Sequence, residues 1–417
     1  MEVIVLGGGI VGVATAYALN RAGAGVTLVE RESDVALATS RGNAGVIAPA
    51  YVTPWAAPGM PGKIAKYLFQ RTSPVIFRPT ADLRQWRWLA RWLKECELAR
   101  FRVNKQRMQR IAYYSRACLT EIRTRHGIEY GRSEGYLQLF RSAYDEEMAR
   151  PAMRILDEAG LAHRLLDRAG CIAVEPALAS APVQPHAGLH LPGDEAGDCA
   201  AFAARLRDIA AAAGVSFRFG VSARGLIGSR GGVQGVLLAD GMRLSADAVV
   251  VAAGIHSRAL LQPFGIDLPL YPVKGYSATL PVSDDARAPR AALMDEAFKT
   301  AITRMGDTVR VAGTAEFGDG QLRVRPAAAQ TLRKVLHDWF PQAGDLSRAT
   351  LWVGSRPMTP DGPPLLGATH VPGLYLNTGH GSTGWAMSMG SGQVLADLLT
   401  GREPAIDLEG LTLARYA

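Results

Sequence analysis

The sequence has few cysteines, modest charge and no long apolar run, and each shortage narrows what it encodes. Four cysteines, Cys96, Cys118, Cys171 and Cys199, are scattered through 417 residues. None lies close to another, so there is neither a disulfide framework nor a metal-ligand spacing. We expect four small buried apolar residues in a reducing compartment and no metal. No stretch reads as a transmembrane helix. The N-terminal apolar run lacks a preceding basic region and is interrupted by glycines, which argues against a signal peptide. A strand starting at residue 2 is the expectation for an unprocessed cytoplasmic chain. Repeats and low-complexity tracts are absent. With 48% hydrophobic and 20% charged residues the composition is that of a globular protein, and the length suggests two domains.

The net charge is +8, and it is concentrated. Between Arg84 and Arg110 nine basic residues face only Glu95 and Glu97, interleaved with Trp86, Trp88, Trp92, Leu89, Leu93, Leu98 and Phe101. Such a basic, tryptophan-rich helix suits a membrane surface. It equally suits a helix that packs its tryptophans on its own core and solvates its basic face, and we take the second as the expectation. Nucleic acid is not an expected partner, because no zinc, helix-turn-helix or RNA-binding signature accompanies the charge.

Gly7-x-Gly9-x-x-Gly12 is the most informative motif present. Val3 to Leu6 reads as a buried parallel strand, Ile10 to Leu19 as an apolar helix ended by Gly23, and Val26 to Val29 as a second strand closed by Glu30. This is one βαβ unit. Gly7 permits the tight turn, Gly9 the approach of a pyrophosphate, and Gly12 close helix–strand packing. The helix N-terminus favours phosphate, and Glu30 can accept hydrogen bonds from a ribose. The unit fits NAD or FAD, while the acid at Glu30 disfavours the 2′-phosphate of NADP.

Further along, Pro49 to Gly62 reads as a loop, and helical patterns dominate from Lys63 to His126 with a stop at Gly127. Ala143–Ala159 is expected to be helical and Tyr136–Phe140 a strand. Helix Ala200–Ala213 precedes strand Val215–Phe219, and Val233–Leu238 with Met242–Leu244 suggests a meander around Asp240-Gly241. Asp247 to Ala253 is an apolar parallel strand ending in Ala-Ala-Gly254. Thr300–Thr303 and Val309–Gly313 read as half-exposed antiparallel strands. Leu374–Asn377 is a strand followed by Gly379-His380-Gly381-Ser382-Thr383-Gly384 and a small-residue helix through Leu399. Three small-residue turns spread along the chain suit FAD better than NAD, because FAD is long. The first turn takes the pyrophosphate, the second passes the ribityl chain, and the third aims a helix N-terminus at the flavin. A plain helix cap is the simpler reading of Gly379–Gly384 taken alone.

These segments carry a resemblance over essentially the whole chain. Gly7–Gly12, Ala38–Gly45, Pro54–Gly59, Tyr271–Ser277, Arg356–Gly362 and Asn377–Gly381 resemble FAD-dependent D-amino acid dehydrogenases, within the D-amino acid oxidase, glycine oxidase and sarcosine oxidase superfamily. The resemblance implies an α/β chain, α+β overall. It would hold a discontinuous Rossmann-like FAD-binding domain (1–80, 190–270 and 352–417) and a substrate domain with an antiparallel sheet (81–189 and 271–351). Arg41-Gly42, Ser355 and Ser382-Thr383 depart from the usual pattern, and these departures bear on the substrate side chain.

The implied reaction is oxidation of a D-amino or D-imino acid, with hydride transfer from Cα to FAD and release of a 2-oxo acid and ammonia. Electrons would pass to a quinone or other acceptor at the membrane, and the chain would sit on the inner face of the cytoplasmic membrane if peripheral. D-proline or hydroxy-D-proline dehydrogenation, an O2-using oxidase and a non-catalytic FAD-binding assembly protein are the alternatives. FAD is expected to be non-covalent, since no cysteine falls in the segments that approach the ring. The candidate FAD-binding residues are Gly7, Gly9, Ile10, Val11, Gly12, Glu30, Arg31, Ser40, Asn43, Ala44, Gly45, Val221, Ala253, Gly254, Gly379, His380, Gly381, Ser382, Thr383 and Gly384. The flavin does the chemistry, so no side chain is assigned as catalytic. The substrate carboxylate calls for an arginine, and the resemblance points to Arg356. Tyr276, Lys274 and His380 are the other substrate-side candidates, with Lys299 and Arg304 behind them. His380 is expected to contact the cofactor and not to act as a base.

Overall fold

Val3, Ile4, Val5 and Leu6 can all be apolar because the strand they form is covered on both faces: each is at most 2% exposed. The computed structural model describes residues 1–67, 73–229, 231–318 and 320–416. Strand Glu2–Leu6 lies at the heart of a six-stranded sheet in the order Leu365–Ala368, Leu374–Thr378, Ala248–Val251, Glu2–Leu6, Gly25–Val29, Ser216–Arg218. All neighbours are parallel except the antiparallel edge strand Leu365–Ala368. Leu6 pairs with both Val29 and Val251, so three strands end level, and the fourth, in which Leu376 pairs with Val251, runs on only to Thr378. The turns carrying Gly7, Glu30, Ala253 and Gly379 therefore meet at one edge, the place where open parallel sheets bind ligands.

Two helices cover one face. Ile10–Arg21 and Gly384–Leu399 pack together with Val13, Ala14, Trp385 and Val394 in a common core. Small residues set how closely they approach. A methyl group on Gly392 would lie 2.7 Å from the carbonyl oxygen of Ala14, and one on Gly390 would lie 2.8 Å from the backbone nitrogen of Ser115. The small-residue helix foreseen after Gly384 is small because it is wedged between two others.

A ten-stranded sheet forms the second layer of the molecule. Its main path runs Thr350–Met358, Tyr271–Pro281, Thr308–Phe317, Thr300–Met305, Ala292–Asp295, Ser133–Phe140, Ala187–Ala196, Val46–Ile47, with Val75–Phe77 and Arg164–Asp167 attached. Strands Thr300–Met305 and Thr308–Phe317 do not have the half-exposed character expected of them; both are buried almost throughout. Their alternation is present, but both faces are covered. Val309 and Val311 pack on Leu332, Val335 and Trp339 of helix Pro326–Trp339, while Ala312 and Thr314 face a cavity. The meander around Asp240-Gly241 is part of a separate three-stranded sheet, Arg243–Ser245, Gly232–Leu238, Ala223–Ser229.

The helical region after Lys63 is interrupted. Helices Met60–Tyr67, Leu83–Glu95 and Leu98–His126 are separated by strand Val75–Phe77 and by a break at Cys96–Glu97, and residues 68–72 lie outside the described set. Gly127 ends the long helix with a φ of 58°, as its position predicted. Trp88 and Trp92 pack inward on Tyr271 and Phe317, which follows the core-packing expectation. Trp86, Leu83 and Leu93 instead face outward, at 46%, 65% and 53% exposure.

Lys105 is an oddity of this region. It is 2% exposed and has no ion-pair or hydrogen-bond partner among the described residues. Burial lowers its pKa from 10.5 to about 8. The folded state thus binds its proton less tightly than the unfolded chain does, so the destabilisation is complete below pH 8 and vanishes as pH rises past 10.5. Lys105→Met is therefore expected to stabilise the fold at neutral pH by up to about 3 kcal/mol. Thermal melting at several pH values tests this: the two proteins should differ most at pH 7 and converge in alkali.

Candidate active site

The glycines of the first turn are required by contacts that the structure makes explicit. Gly7 has φ +112°, and a methyl group there would lie 2.6 Å from the carbonyl oxygen of Ala252. A methyl on Gly12 would sit 1.8 Å from the carbonyl oxygen of Gly7. A methyl on Gly9 would meet only Ser40 Oγ, at 3.4 Å, so the space over the first helical turn is open. The helix has no side-chain cap of its own residue; Ser40 Oγ instead accepts the Ile10 amide at 3.0 Å. Val11, one residue on, is partly exposed in that same first turn. Glu30 accepts from the amides of Gly8 and Glu32, and its own carbonyl accepts from the Val221 amide at 3.2 Å. Arg31 Nη1 meets His256 Nε2 at 2.8 Å beside it. An open helix N-terminus, a carboxylate on the neighbouring strand end and backbone that glycine alone permits fit the adenosine diphosphate half of FAD.

The other two turns adjoin this one. Thr378 Oγ1 donates to the Gly254 carbonyl at 3.3 Å and accepts from Ser257 Oγ at 3.1 Å, so the strand ends after Ala253 and before Gly379 are tied together. Segment Ser40–Gly45 crosses from the first helix to the ten-stranded sheet. Asn43 Oδ1 accepts from the Gly45 amide at 2.8 Å, the Asn43 carbonyl accepts from Arg310 Nη1 at 2.9 Å, and the Ala44 carbonyl accepts from Thr303 Oγ1 at 2.7 Å. Arg310 and Thr303 are contributors that sequence reasoning missed, because nothing near them in the chain announces which loop they hold.

A cavity of about 280 Å³ lies between the two sheets. One wall is Gly42, Asn43 and Ala44, another Gly381, Ser382 and Thr383, and a third Gly275, Ala312, Thr314 and Arg356 from the large sheet. Tyr51, Trp55, Tyr67, Met294 and Lys299 close the far end. No cysteine and no carboxylate-bearing residue is among the lining residues. Among the described residues three non-glycine residues have positive φ, Ala36, Lys299 and Thr314. Two line this cavity, and the Ala36 amide donates to the Gly8 carbonyl. Strained backbone thus gathers at the site.

Arg356, the residue expected to meet a substrate carboxylate, lines the cavity. Its guanidinium faces the cavity, lies 5.3 Å over the Trp55 ring, and donates only to the carbonyls of Lys274 (3.2 Å) and Thr314 (3.5 Å). Among the described residues no carboxylate pairs with it. Burial lowers its pKa to about 10, which leaves it charged at neutral pH. Gly275 makes this placement possible, since a methyl group there would be 2.4 Å from the guanidinium carbon.

The other expected substrate contacts need correcting. Lys274 is fully buried, its Nζ 2.6 Å from Glu316 Oε1, and the Tyr276 hydroxyl donates to the other oxygen of Glu316. Lys274 and Tyr276 flank Gly275 on one strand, and the pleat directs both side chains towards Glu316, although Tyr276, unlike Lys274, remains among the residues that line the cavity. Arg304 pairs with Asp285 at 2.7 Å and does not line the cavity, whereas Lys299 does line it, paired with Glu296. His380 is 3% exposed and turned into the last helix, its Nε2 3.0 Å from Ser391 Oγ. Burial holds the pKa of His380 down to about 3, and a base role has no support. Trp352 was not anticipated. Methyl groups on Gly42 and Gly354 would each collide with its ring, so the glycine of the unusual Arg41-Gly42 pair is what admits it.

With this geometry in place, residues 2–398 match the model of a family described as FAD dependent oxidoreductase. The chain belongs to the DAO family of FAD dependent oxidoreductases. It is 47% identical to the D-amino acid dehydrogenase of Rhodopseudomonas palustris (strain HaA2) over 417 residues, 100% of this chain and 98% of that protein. It is 49% identical to the D-amino acid dehydrogenase of Methylobacterium nodulans, over 100% of this chain and 99% of the relative. Among solved structures, glycine oxidase from Geobacillus kaustophilus superposes with a TM-score of 0.77 at 22% identity, covering 100% of this chain and 98% of that one. L-proline dehydrogenase from P. horikoshii gives 0.74 at 17% identity over 100% and 97%. These two likenesses establish the fold: a Rossmann-like FAD domain joined to a large curled sheet. The chain is thus an FAD-dependent oxidoreductase, and the expectation of FAD in place of NAD is met.

Proposed function

We propose that this flavoenzyme oxidises D-amino acids to 2-oxo acids and ammonia and passes the electrons to a membrane quinone. The observation that carries the reading is Arg356, a half-buried cation that no carboxylate among the described residues pairs and that faces the cavity between flavin-side and sheet-side walls. The relatives named D-amino acid dehydrogenase support the choice of substrate. FAD, held without a covalent link by Gly7–Gly12, Glu30, Ser40–Gly45, Ala253–Gly254 and Gly379–Gly384, supplies the two-electron acceptor. The six-stranded sheet with its helices is assigned as the FAD-binding part and the ten-stranded sheet as the substrate-binding part.

The protein's own work is orientation. Arg356 offers a planar donor pair to the substrate carboxylate and fixes which face of Cα is presented. Tyr51, Trp55, Tyr67 and Met294 give apolar walls that exclude water from the side chain. No carboxylate among the described residues lines the cavity to balance an ammonium, so the amine reacts neutral, its proton left to solvent before binding. The expected signature is a kcat/KM that rises with pH towards the amine's own pKa, with no limb from His380.

The decisive experiment mixes oxygen-free holoenzyme with D-alanine, L-alanine and D-proline and follows bleaching of the flavin. Bleaching by D-alanine but not L-alanine is expected; bleaching by none of a broad D-amino acid panel would sink the reading. Peroxide yield per turnover in air separates a dehydrogenase from an oxidase, and a low yield is expected.

No helix among the described residues is long and apolar enough to cross a membrane. The outward residues Leu83, Trp86 and Leu93, ringed by Arg84, Arg87, Arg91 and Lys94, supply a surface for anionic lipid. Flotation with vesicles containing anionic lipid should carry the protein upward at low salt. The Trp86→Ser/Leu93→Ser variant should remain behind; equal flotation of both proteins would refute the docking face.

A further inference from the structure

Arg356 is oriented by backbone, and that backbone is irregular. Strands Tyr271–Pro281 and Thr308–Phe317 pair regularly up to Gly275↔Ala315 and then resume at Tyr276↔Gly313, which leaves Thr314 as the extra residue of a bulge. Thr314 has φ +50°, a conformation that a β-branched residue adopts only under constraint. The carbonyls that receive Arg356 Nη1 belong to this bulge: Thr314 itself and Lys274 beside Gly275. Regular pairing would turn the Thr314 carbonyl elsewhere and remove one of the two supports.

On the reverse face of the same bulge lies a closed polar cluster. Lys274 Nζ is 2.6 Å from Glu316 Oε1, and neither side chain has any exposed surface. Tyr276 donates to Glu316 Oε2, Arg325 Nε lies 3.5 Å from Oε1, and Lys274 also donates to the Gln321 carbonyl at 3.1 Å. Burial, reinforced by Glu316, pushes the tyrosine pKa upward, so its hydroxyl remains a donor. Lys274 and Tyr276 bracket Gly275 on one strand, and Glu316 lies two residues beyond Thr314 on the other. The cluster therefore bridges the irregularity.

We propose that Lys274, Glu316 and Tyr276 lock this bulge, and that through its carbonyls they set the aim of Arg356 and hence the affinity for the substrate carboxylate. They act as positioning residues: Lys274 and Glu316 do not line the cavity, and Tyr276, which does, has its hydroxyl engaged by Glu316; the proposal rests on reading Arg356 as the carboxylate anchor. The alternative is a cluster that only contributes stability.

The test uses FAD-loaded Lys274→Met, Tyr276→Phe, Arg356→Met and the Lys274→Met/Arg356→Met double variant. Binding of propionate, a carboxylate without an amine, is read from the perturbation of flavin absorbance, and kcat and KM are measured with D-alanine. Lys274→Met should weaken propionate binding and raise KM by about tenfold with kcat within about twofold. In the Arg356→Met background the same change should cost kcat/KM nothing further, because the residue it aims is gone. Tyr276→Phe removes one oxygen and keeps the ring, so it decides the matter if Lys274→Met fails to load FAD; a loss of about threefold is expected. The lock is overturned if Arg356→Met loses propionate while both lock variants keep it, or if Lys274→Met costs as much in the Arg356→Met background as alone. If Arg356→Met itself binds propionate normally, the anchor reading fails first and the lock with it.

Discussion

Arg356→Met should lower kcat/KM for D-alanine by roughly 10²- to 10³-fold or more, since removing one partner of a buried charge pair costs about 3–5 kcal/mol. The size follows from where the arginine sits. Its pKa is lowered to about 10 by burial, so the free enzyme already carries the desolvation cost of the guanidinium. No carboxylate among the described residues offsets that cost, and the incoming substrate does. Arg356→Lys should recover little. An ammonium cannot present two coplanar donors, and it lacks the flat group that lies between Gly275 and the Trp55 ring. The opposite effect on stability separates this role from an ordinary structural ion pair. Without substrate, Arg356→Met should melt no lower than the parent protein, because it removes a half-buried charge that no carboxylate among the described residues pairs. A large fall in melting temperature with unchanged KM would reject the assignment.

The glycine turns at the strand ends were legible in the sequence because their requirements are local. Gly7, Gly12 and Gly379 meet constraints set by their own turns, and a strand–glycine–helix string displays those constraints in order. The cavity was legible only in part, because sheet register is not local. In the large sheet Val273 pairs with Arg356 and Gly275 with Gly354, which puts these four on one face. Lys274 and Tyr276 fall on the other by pleat parity. A motif such as Tyr271–Ser277 shows that a segment matters without showing which of its faces looks at the site, and the conspicuous charge was the wrong one to follow. The glycine between the two polar residues was the better guide, since an absent side chain marks where another must pass. Arg310, Thr314 and Trp352 left no such mark. Each acts on a loop or strand brought near only by tertiary pairing, and Trp352 fits because glycines at 42 and 354 leave room for its ring. The basic segment divided along the same line: helical spacing brought Trp88 and Trp92 inward, but the break at Cys96–Glu97 that ends their helix has no glycine or proline to announce it.

Gly12→Ala is expected to abolish FAD retention, and Gly9→Ala is the control that shows why. The added methyl at position 12 would lie 1.8 Å from the Gly7 carbonyl oxygen, far inside contact distance, and the collision is with backbone. Gly7 cannot yield, because its φ of +112° and its 2.6 Å approach to the Ala252 carbonyl already fix the turn. Helix Ile10–Arg21 would have to lift off the sheet, yet its other side is held by the last helix, where Gly392 leaves no room at Ala14. The strain therefore exists in the protein without cofactor. Gly12→Ala should melt lower than the parent as apoprotein and bind FAD at least tenfold more weakly, a loss of about 1.4 kcal/mol or more. At Gly9 the methyl would find only Ser40 Oγ at 3.4 Å, an ordinary contact, so the apoprotein should be undisturbed. Its effect should appear only when the pyrophosphate arrives and needs the space over the first helical turn. Flavin content after gel filtration, together with apoprotein melting curves, reads both variants. If Gly9→Ala retained full FAD affinity, the pyrophosphate would have to lie elsewhere along the strand ends.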